Sequence, residues 1–167
     1  MDDPFGLDDP LAAFAFYKWM EHWVDEDSGR TRAPSGNRDE NGNTPLLIAA
    51  QRGDVQMVKR LLEQGADVDA RNDYGITALM FASDYGHAEI IRLLLDHGAS
   101  VDLKDARGHT ALMFAANKGY EAIVKMLLEA DADAGIKDKG GHTALYFAEG
   151  SGHKKVVEML KTTRAKE

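Results

Sequence analysis

The sequence contains no cysteine, which excludes a disulfide framework and a metal site built from thiolates. No apolar run reaches the roughly 18 residues that a membrane-spanning helix needs. The longest candidate, residues 11–24, is interrupted by Lys18, Glu21 and His22. The acidic residues that precede it also have the wrong charge for the start of a signal peptide. We therefore predict a protein without a membrane span.

A concentrated basic patch is missing as well. The chain has 20 Lys and Arg against 28 Asp and Glu, for a net charge of −8, and the cations are scattered among the acids. Nucleic-acid-binding proteins usually collect Lys and Arg on one face, so we expect no nucleic-acid partner. Apolar residues make up 44% of the chain, which is enough for a folded core.

Motifs for catalysis, cofactors and metals are missing too. There is no Gly-rich phosphate loop, and residues 150–152 lack the Gly-x-Ser-x-Gly pattern of a nucleophile elbow. The acidic loop 131–135 lacks the third acid of a calcium site, and His142 stands where its bidentate Glu belongs. Four histidines receive structural or solvent-facing roles: His87, His109, His142 and His153. We predict no enzyme, no cofactor and no bound metal.

What the chain does have is an internal period of 33 residues. A missed period would misassign the whole fold, so the period carries the interpretation. Five kinds of position share it: glycine at 42, 75, 108 and 141; threonine at 44, 77, 110 and 143; glycine at 53, 86, 119 and 152; leucine at 46, 79, 112 and 145; and leucine at 61, 94, 127 and 160.

Each unit is predicted to be a turn followed by two short helices. In the second unit the turn is residues 72–75, and its glycine can adopt a positive φ. Thr77 can then cap the first helix, as can Thr44, Thr110 and Thr143 in the other units. Gly86 ends the first helix, and Gly98 ends the second in a left-handed conformation.

This pattern resembles the ankyrin repeat from residue 39 to about residue 163. Residues 44–46 match the Thr-Pro-Leu opening of that family, and residues 65–68 and 98–101 match or nearly match its Gly-Ala-Asp-Val close. The chain departs from the family where a histidine is usual, at Leu47, Met80, Met113 and Tyr146. Asp131 replaces a glycine, and we expect it to adopt the left-handed conformation that Asp tolerates better than most residues.

The resemblance implies an all-α solenoid of helix-turn-helix units with β-hairpin-like turns, plus an N-terminal helix and a flexible linker. The predicted segments are an acidic and aromatic N-terminal segment 1–38, repeats at 39–71, 72–104, 105–137 and 138–163, and a polar tail 164–167. Terminal repeats of a solenoid need a polar outer face. Glu149 and Lys161 replace small or apolar residues of the earlier repeats and provide it.

The segment 10–24 has two interpretations. It is predicted to be a helix with Asp9 as its N-cap. It either covers the first repeat or binds a partner or a second copy of the chain, which would make the protein a homo-oligomer. The residues that would make this contact are Phe16, Trp19, Met20 and Trp23.

In the ankyrin family, partners usually bind the concave side, which is formed by the turn tips and the ends of the first helices. By that resemblance, Tyr74, Ile76 and Tyr85 would place apolar surface at the centre of the groove, beside Arg107 and Lys118. The remaining candidates are Asp73, Asp84, His109, Asn117 and Arg52.

The expected function is a cytoplasmic adaptor that binds another protein or peptide, although the sequence leaves the nucleus and an organelle interior open. The alternative is a self-associating or client-holding protein that uses residues 10–24. The same scaffold serves many recognition tasks, so the sequence does not name the partner.

Overall fold

The computed structural model describes residues 38–164. The predicted helix at 10–24 and the end of the polar tail lie outside the described residues. Within 38–164 the chain is helical, as predicted, and no strand is present. Its eight helices form four consecutive pairs: α1 Pro45–Arg52, α2 Val55–Glu63, α3 Ala78–Tyr85, α4 Ala88–Asp96, α5 Ala111–Lys118, α6 Glu121–Glu129, α7 Ala144–Gly150 and α8 Lys154–Arg164. Helix α8 thus ends one residue past the predicted boundary at 163.

Threonine hydroxyls begin three of the four first helices. The Oγ1 atom of Thr44 accepts the backbone N–H of Leu47 at 3.4 Å. Thr77 and Thr110 accept the equivalent N–H groups of α3 and α5 at 3.3 and 3.4 Å. Thr143 makes no such bond at the start of α7, so the predicted cap is absent there. Each bond satisfies one of the backbone donors that a helix leaves unpaired in its first turn.

A glycine ends each of α1, α3 and α5, and a ring from the next repeat lies over it. The rings are His87 over Gly53, Tyr120 over Gly86 and His153 over Gly119. The Nε2 atoms of His87 and His153 also lie 3.1 and 3.0 Å from backbone carbonyls at the ends of α1 and α5. These contacts give both histidines a structural role.

Small side chains bring the first helices of neighbouring repeats together. The buried residues between them are Ala49, Ala50, Ala82, Ser83, Ala115, Ala116 and Ala148. Ser83 satisfies its buried hydroxyl by donating to the Leu79 carbonyl at 2.7 Å. Helices α1, α3, α5 and α7 therefore pack more closely than α2, α4, α6 and α8 do. We call the side of the stack formed by the first helices its inner side, and the side formed by the second helices its outer side.

A row of cationic side chains links the repeats along one edge. Arg38 donates to the Arg71 carbonyl, Arg71 donates to the Lys104 carbonyl, and Lys104 donates to the Lys137 carbonyl. In each link the partner is the equivalent residue of the next repeat. These cations satisfy backbone acceptors, so they are part of the scaffold.

The last repeat presents polar groups on its outer end. Glu149 and Lys161 are half exposed, and their side chains form an ion pair at 2.9 Å. Tyr146 is 55% exposed, whereas its equivalents Leu47, Met80 and Met113 are at most 2% exposed. The reason is that no further helix of the described region packs on this side.

In the preceding repeat Asp131 adopts the left-handed conformation, with φ of 60°, as predicted.

The glycine at the end of α5 provides a test of the ring packing. A Cβ at Gly119 would lie 2.4 Å from the His153 ring, whereas a Cβ at Gly152 would meet no atom within 4 Å. Both residues have nearly equal φ, +74° and +75°. We expect Gly152→Ala to lower the free energy of unfolding by about 1 kcal/mol through backbone strain alone. Gly119→Ala should lower it by about 2–4 kcal/mol, because it adds overpacking.

Urea denaturation of the two variants and the unmodified chain measures this difference. Equal losses in the two variants would contradict the role assigned to the His153 ring.

Candidate functional site

An acidic or amide side chain organises each turn tip. The Oδ1 atoms of Asp39, Asn72, Asp105 and Asp138 each accept two backbone N–H bonds, from two and four residues further on, at 2.8–3.0 Å. Sequence reasoning placed these residues in the turns but gave them no role. Their 33-residue spacing is the signal that could have identified their role in holding the turns. The bonds hold the tips in one conformation without help from a partner.

Backbone hydrogen bonds also join one tip to the next. The Asp73, Ala106 and Lys139 N–H groups donate to the carbonyls of Asn41, Tyr74 and Arg107, at 3.1, 2.8 and 2.9 Å. Equivalent residues of successive tips are therefore held side by side. We call positions 41, 74, 107 and 140 the tip row. Tyr74 and Arg107 are neighbours in it.

His109 is held inside the tips of the last two repeats. Its Nδ1 atom lies 3.2 Å from Asp105 Oδ2, and its Nε2 atom lies 3.5 Å from Asp138 Oδ2. The ring makes edge contacts with Phe114 and Phe147 at centroid distances of 5.7 and 5.6 Å. Its side chain is only 21% exposed. The proposed partner-binding position is thus largely occupied by contacts within the chain.

Asp138 is nearly buried, with 6% of its side chain exposed, and it faces a second histidine, His142, at 3.3 Å. The backbone N–H of His142 is the main cause that lowers the pKa of Asp138 below its usual 3.8. Bonds from the His142 side chain and the Gly140 N–H act in the same direction, while burial opposes them.

Two tyrosines dominate the exposed apolar surface of the inner side. Tyr74 and Tyr85 are 57% and 49% exposed, and with Tyr146 they are the only large apolar side chains so exposed in residues 38–163. Both belong to the second repeat. Ile76 differs from the prediction, because it is half buried and packs against the core beneath its tip.

The ends of the first helices form a second row, which we call the helix-end row: positions 52, 85, 118 and 151. The Tyr85 hydroxyl accepts a bond from Gln51 Nε2 at 3.3 Å, and its ring stacks parallel to His87. Lys118 Nζ lies 3.5 Å from Asp84 Oδ1. Asn117 accepts a bond from the Ser151 hydroxyl at 3.0 Å. Arg52 is exposed at the other end of this row.

Phenylalanines of the first helices were missed by sequence reasoning. Phe81 and Phe114 are half buried, pack against the core, and belong to the inner helices α3 and α5. Each follows its capping threonine by four residues, and the same position recurs at Phe147. This shared register is the signal that could have found them. They add partly exposed apolar surface to the inner helices.

The cations beside these aromatic residues differ in their pairing. Lys118 has the Asp84 carboxylate as a partner. Arg107 is exposed, and within the part of the chain that the structure describes it forms no ion pair. Among the described residues, the Arg107 guanidinium is therefore a cation beside Tyr74 whose charge is not paired with a carboxylate.

Two further features bear on what the surface can do. Within residues 38–164 no cluster of three or more His, Asp or Glu could hold a metal ion. In the same range no helix is both long and apolar enough to cross a membrane.

Comparison with known proteins agrees with this architecture. The family model for ankyrin repeats (3 copies) matches residues 20–105 and 100–166. The phytochrome-interacting ankyrin-repeat protein 2 of Arabidopsis thaliana is 42% identical over 64 residues, which cover 38% of this chain. The matched segment spans about a third of that relative's length (32%). The resemblance inferred from the 33-residue period is confirmed.

Asp138 allows a test of the tip geometry by pH. A carboxyl whose pKa is lowered in the folded state contributes stability above its unfolded value of 3.8. That contribution is lost as the pH falls from there through the folded pKa. Asp138→Asn retains an Oδ1 acceptor, as Asn72 does in the second repeat. We expect its free energy of unfolding to fall less steeply with decreasing pH than that of the unmodified chain.

The measurement is urea denaturation at a series of pH values from neutral to below 3.8. Asp96→Asn, an exposed position on α4, serves as the control and should follow the unmodified chain. Parallel curves for Asp138→Asn and the unmodified chain would contradict the assigned bonds.

Proposed function

The chain belongs to the ankyrin-repeat family, whose repeats are protein-interaction modules, and on this premise we propose that it is an adaptor without catalytic activity. The proposed binding surface is the inner side of the second and third repeats. Its partner is another protein or a peptide. The observation that carries the proposal is the pair of exposed tyrosines, Tyr74 and Tyr85, in one repeat.

Tyrosine is a frequent hot-spot residue at protein interfaces, because its ring offers a large apolar area with few rotatable bonds. Tyr74 belongs to the tip row and precedes the inner helix α3, whereas Tyr85 belongs to the helix-end row and is the last residue of α3. Phe81 of that helix adds apolar surface. Arg107 and Lys118 follow in the next repeat and supply charge for orientation.

The rigidity of the tips also favours binding. Association costs free energy whenever loops and side chains must be ordered at the interface. Here the tip backbone is already held by the Asx-type bonds of each turn and by the bonds between successive tips. A partner would thus meet a surface whose backbone needs little ordering.

The proposed absence of catalysis is consistent with the environment of the titratable groups. His109, Asp105 and Asp138 form one cluster of titratable groups at the turn tips, with the His109 ring nitrogens 3.2 and 3.5 Å from the two carboxylates. Their atoms are occupied by turn N–H groups and by one another. A general base needs a free position to accept a substrate proton, and this arrangement leaves His109 little access to one.

The Arabidopsis relative supplies one specific partner to test, because its name describes an interaction with phytochrome. We include a phytochrome among the candidate partners on that ground. The self-association predicted for residues 10–24 stays a prediction, since that segment lies outside the described residues.

The proposal predicts that Tyr74→Ala/Tyr85→Ala weakens partner binding by roughly tenfold or more, because each truncation removes a hot-spot ring. Tyr146→Ala is the matched control, since Tyr146 is equally exposed but lies in the last repeat. It should change affinity by less than about twofold. The measurement is affinity for a partner captured from the native extract, and for a purified phytochrome.

A chain lacking residues 1–37, which keeps the scaffold residue Arg38, is compared in the same assay. Binding that survives the tyrosine substitutions but is lost on this deletion would contradict the proposal and assign the function to the N-terminal segment.

A further inference from the structure

We infer that the inner surface of the second and third repeats recognises an extended, polyproline-II-like segment with an apolar residue and a carboxylate three positions apart. This inference rests on the proposed function and specifies the chemistry of its partner. It follows from the order of side chains in the tip row and the helix-end row, from the pairing of their charges, and from the spacing of the repeats.

The two rows change in the same way from the second repeat to the third. The tip row reads Asn41, Tyr74, Arg107 and Gly140. The helix-end row reads Arg52, Tyr85, Lys118 and Ser151. In both rows an exposed tyrosine is followed by an exposed cation. The second repeat therefore offers aromatic surface from both rows, and the third repeat offers positive charge from both.

The two cations are not equivalent. Lys118 is already 3.5 Å from the Asp84 carboxylate, which neutralises part of its charge. Arg107 forms no ion pair among residues 38–163. A guanidinium can bind a carboxylate through two parallel N–H···O bonds. One unpaired Arg fits one carboxylate, whereas a doubly charged phosphate would require more positive charge than this surface leaves free.

Among the turn tips, the exposed acids lie toward the other end of the tip row. Asp73 approaches Gly42 of the first repeat, where its Oδ1 atom occupies the space that a Cβ would take. Glu40 is exposed at the tip of that same repeat. A partner carboxylate placed there would be repelled, so it is directed to the third repeat. The apolar side chain of the partner then lies over the second repeat, between Tyr74 and Tyr85.

The spacing selects the conformation of the segment. Packed helices lie about 8–10 Å apart, and this sets the distance from the second repeat to the third. A polyproline II segment rises about 3.1 Å per residue with three residues per turn. Residues three apart in it therefore lie on one face, about 9 Å apart. In a β-strand residues three apart point to opposite faces, so a strand would not present both groups.

Selection from a library of short random peptides tests this inference. The baits are the full chain, Arg107→Glu, and Arg60→Glu, the last being an exposed control on the outer helix α2. Peptides selected on the full chain should carry Asp or Glu three positions from an apolar or aromatic residue. On Arg107→Glu the acid should be replaced by Lys or Arg. A peptide selected on the full chain should bind Arg107→Glu about tenfold more weakly and Arg60→Glu unchanged.

Circular dichroism of each bait shows whether it is folded, and Tyr74→Ala/Tyr85→Ala assigns the selected peptides to the inner surface. Two results would overturn the inference and leave the proposed function standing. In the first, the selected peptides need both tyrosines but carry no acid three positions from an apolar residue. In the second, the peptides selected on Arg107→Glu carry the same acid as those selected on the full chain. A library that yields no binder at the inner surface also overturns it. Binding that ignores the tyrosines, both here and for the natural partner, would overturn the proposed function itself.

Discussion

Small side chains between neighbouring first helices set the distance from each repeat to the next. Ala82 and Ser83 of α3 are buried between α1 and α5, and Ala115 and Ala116 occupy the same place in α5. Larger residues there would separate the helices and, with them, the turn tips. The backbone bond from Ala106 to Tyr74, at 2.8 Å, forms only at this separation. The surface that we propose for binding therefore depends on the same packing of small side chains between first helices that forms the core.

The positions that repeat every 33 residues serve the scaffold, while the positions that vary between repeats are available for recognition. The capping threonines and helix-ending glycines keep their identity because each satisfies a backbone requirement. The tip and helix-end rows carry different residues in every repeat. Their backbone is held by neighbouring groups, so their side chains can differ without a loss of fold. A rigid frame with freely varied side chains is well suited to specific binding.

Ile76 and His109 show where sequence reasoning about the site was incomplete. Both occupy the same position of their turns, four residues after Asn72 and Asp105. That position points toward the neighbouring repeat, where Ile76 reaches the core and His109 reaches Asp138. The phenylalanines of the inner helices were missed for a related reason. Their apolar character matched a core residue, and only the packing shows that Phe81 and Phe114 remain half exposed.

The sequence by itself determined the repeat, its two helices, the caps at Thr44, Thr77 and Thr110, and the left-handed conformation of Asp131. These features depend on local backbone chemistry, which residue type and spacing reveal. Only the tertiary structure decided which side chains of the turns and inner helices stay exposed and which cations have partners. The exposure and the ion pairing of these side chains depend on residues about 33 positions away. Lys118, for example, forms its ion pair with Asp84 only when the repeats have stacked.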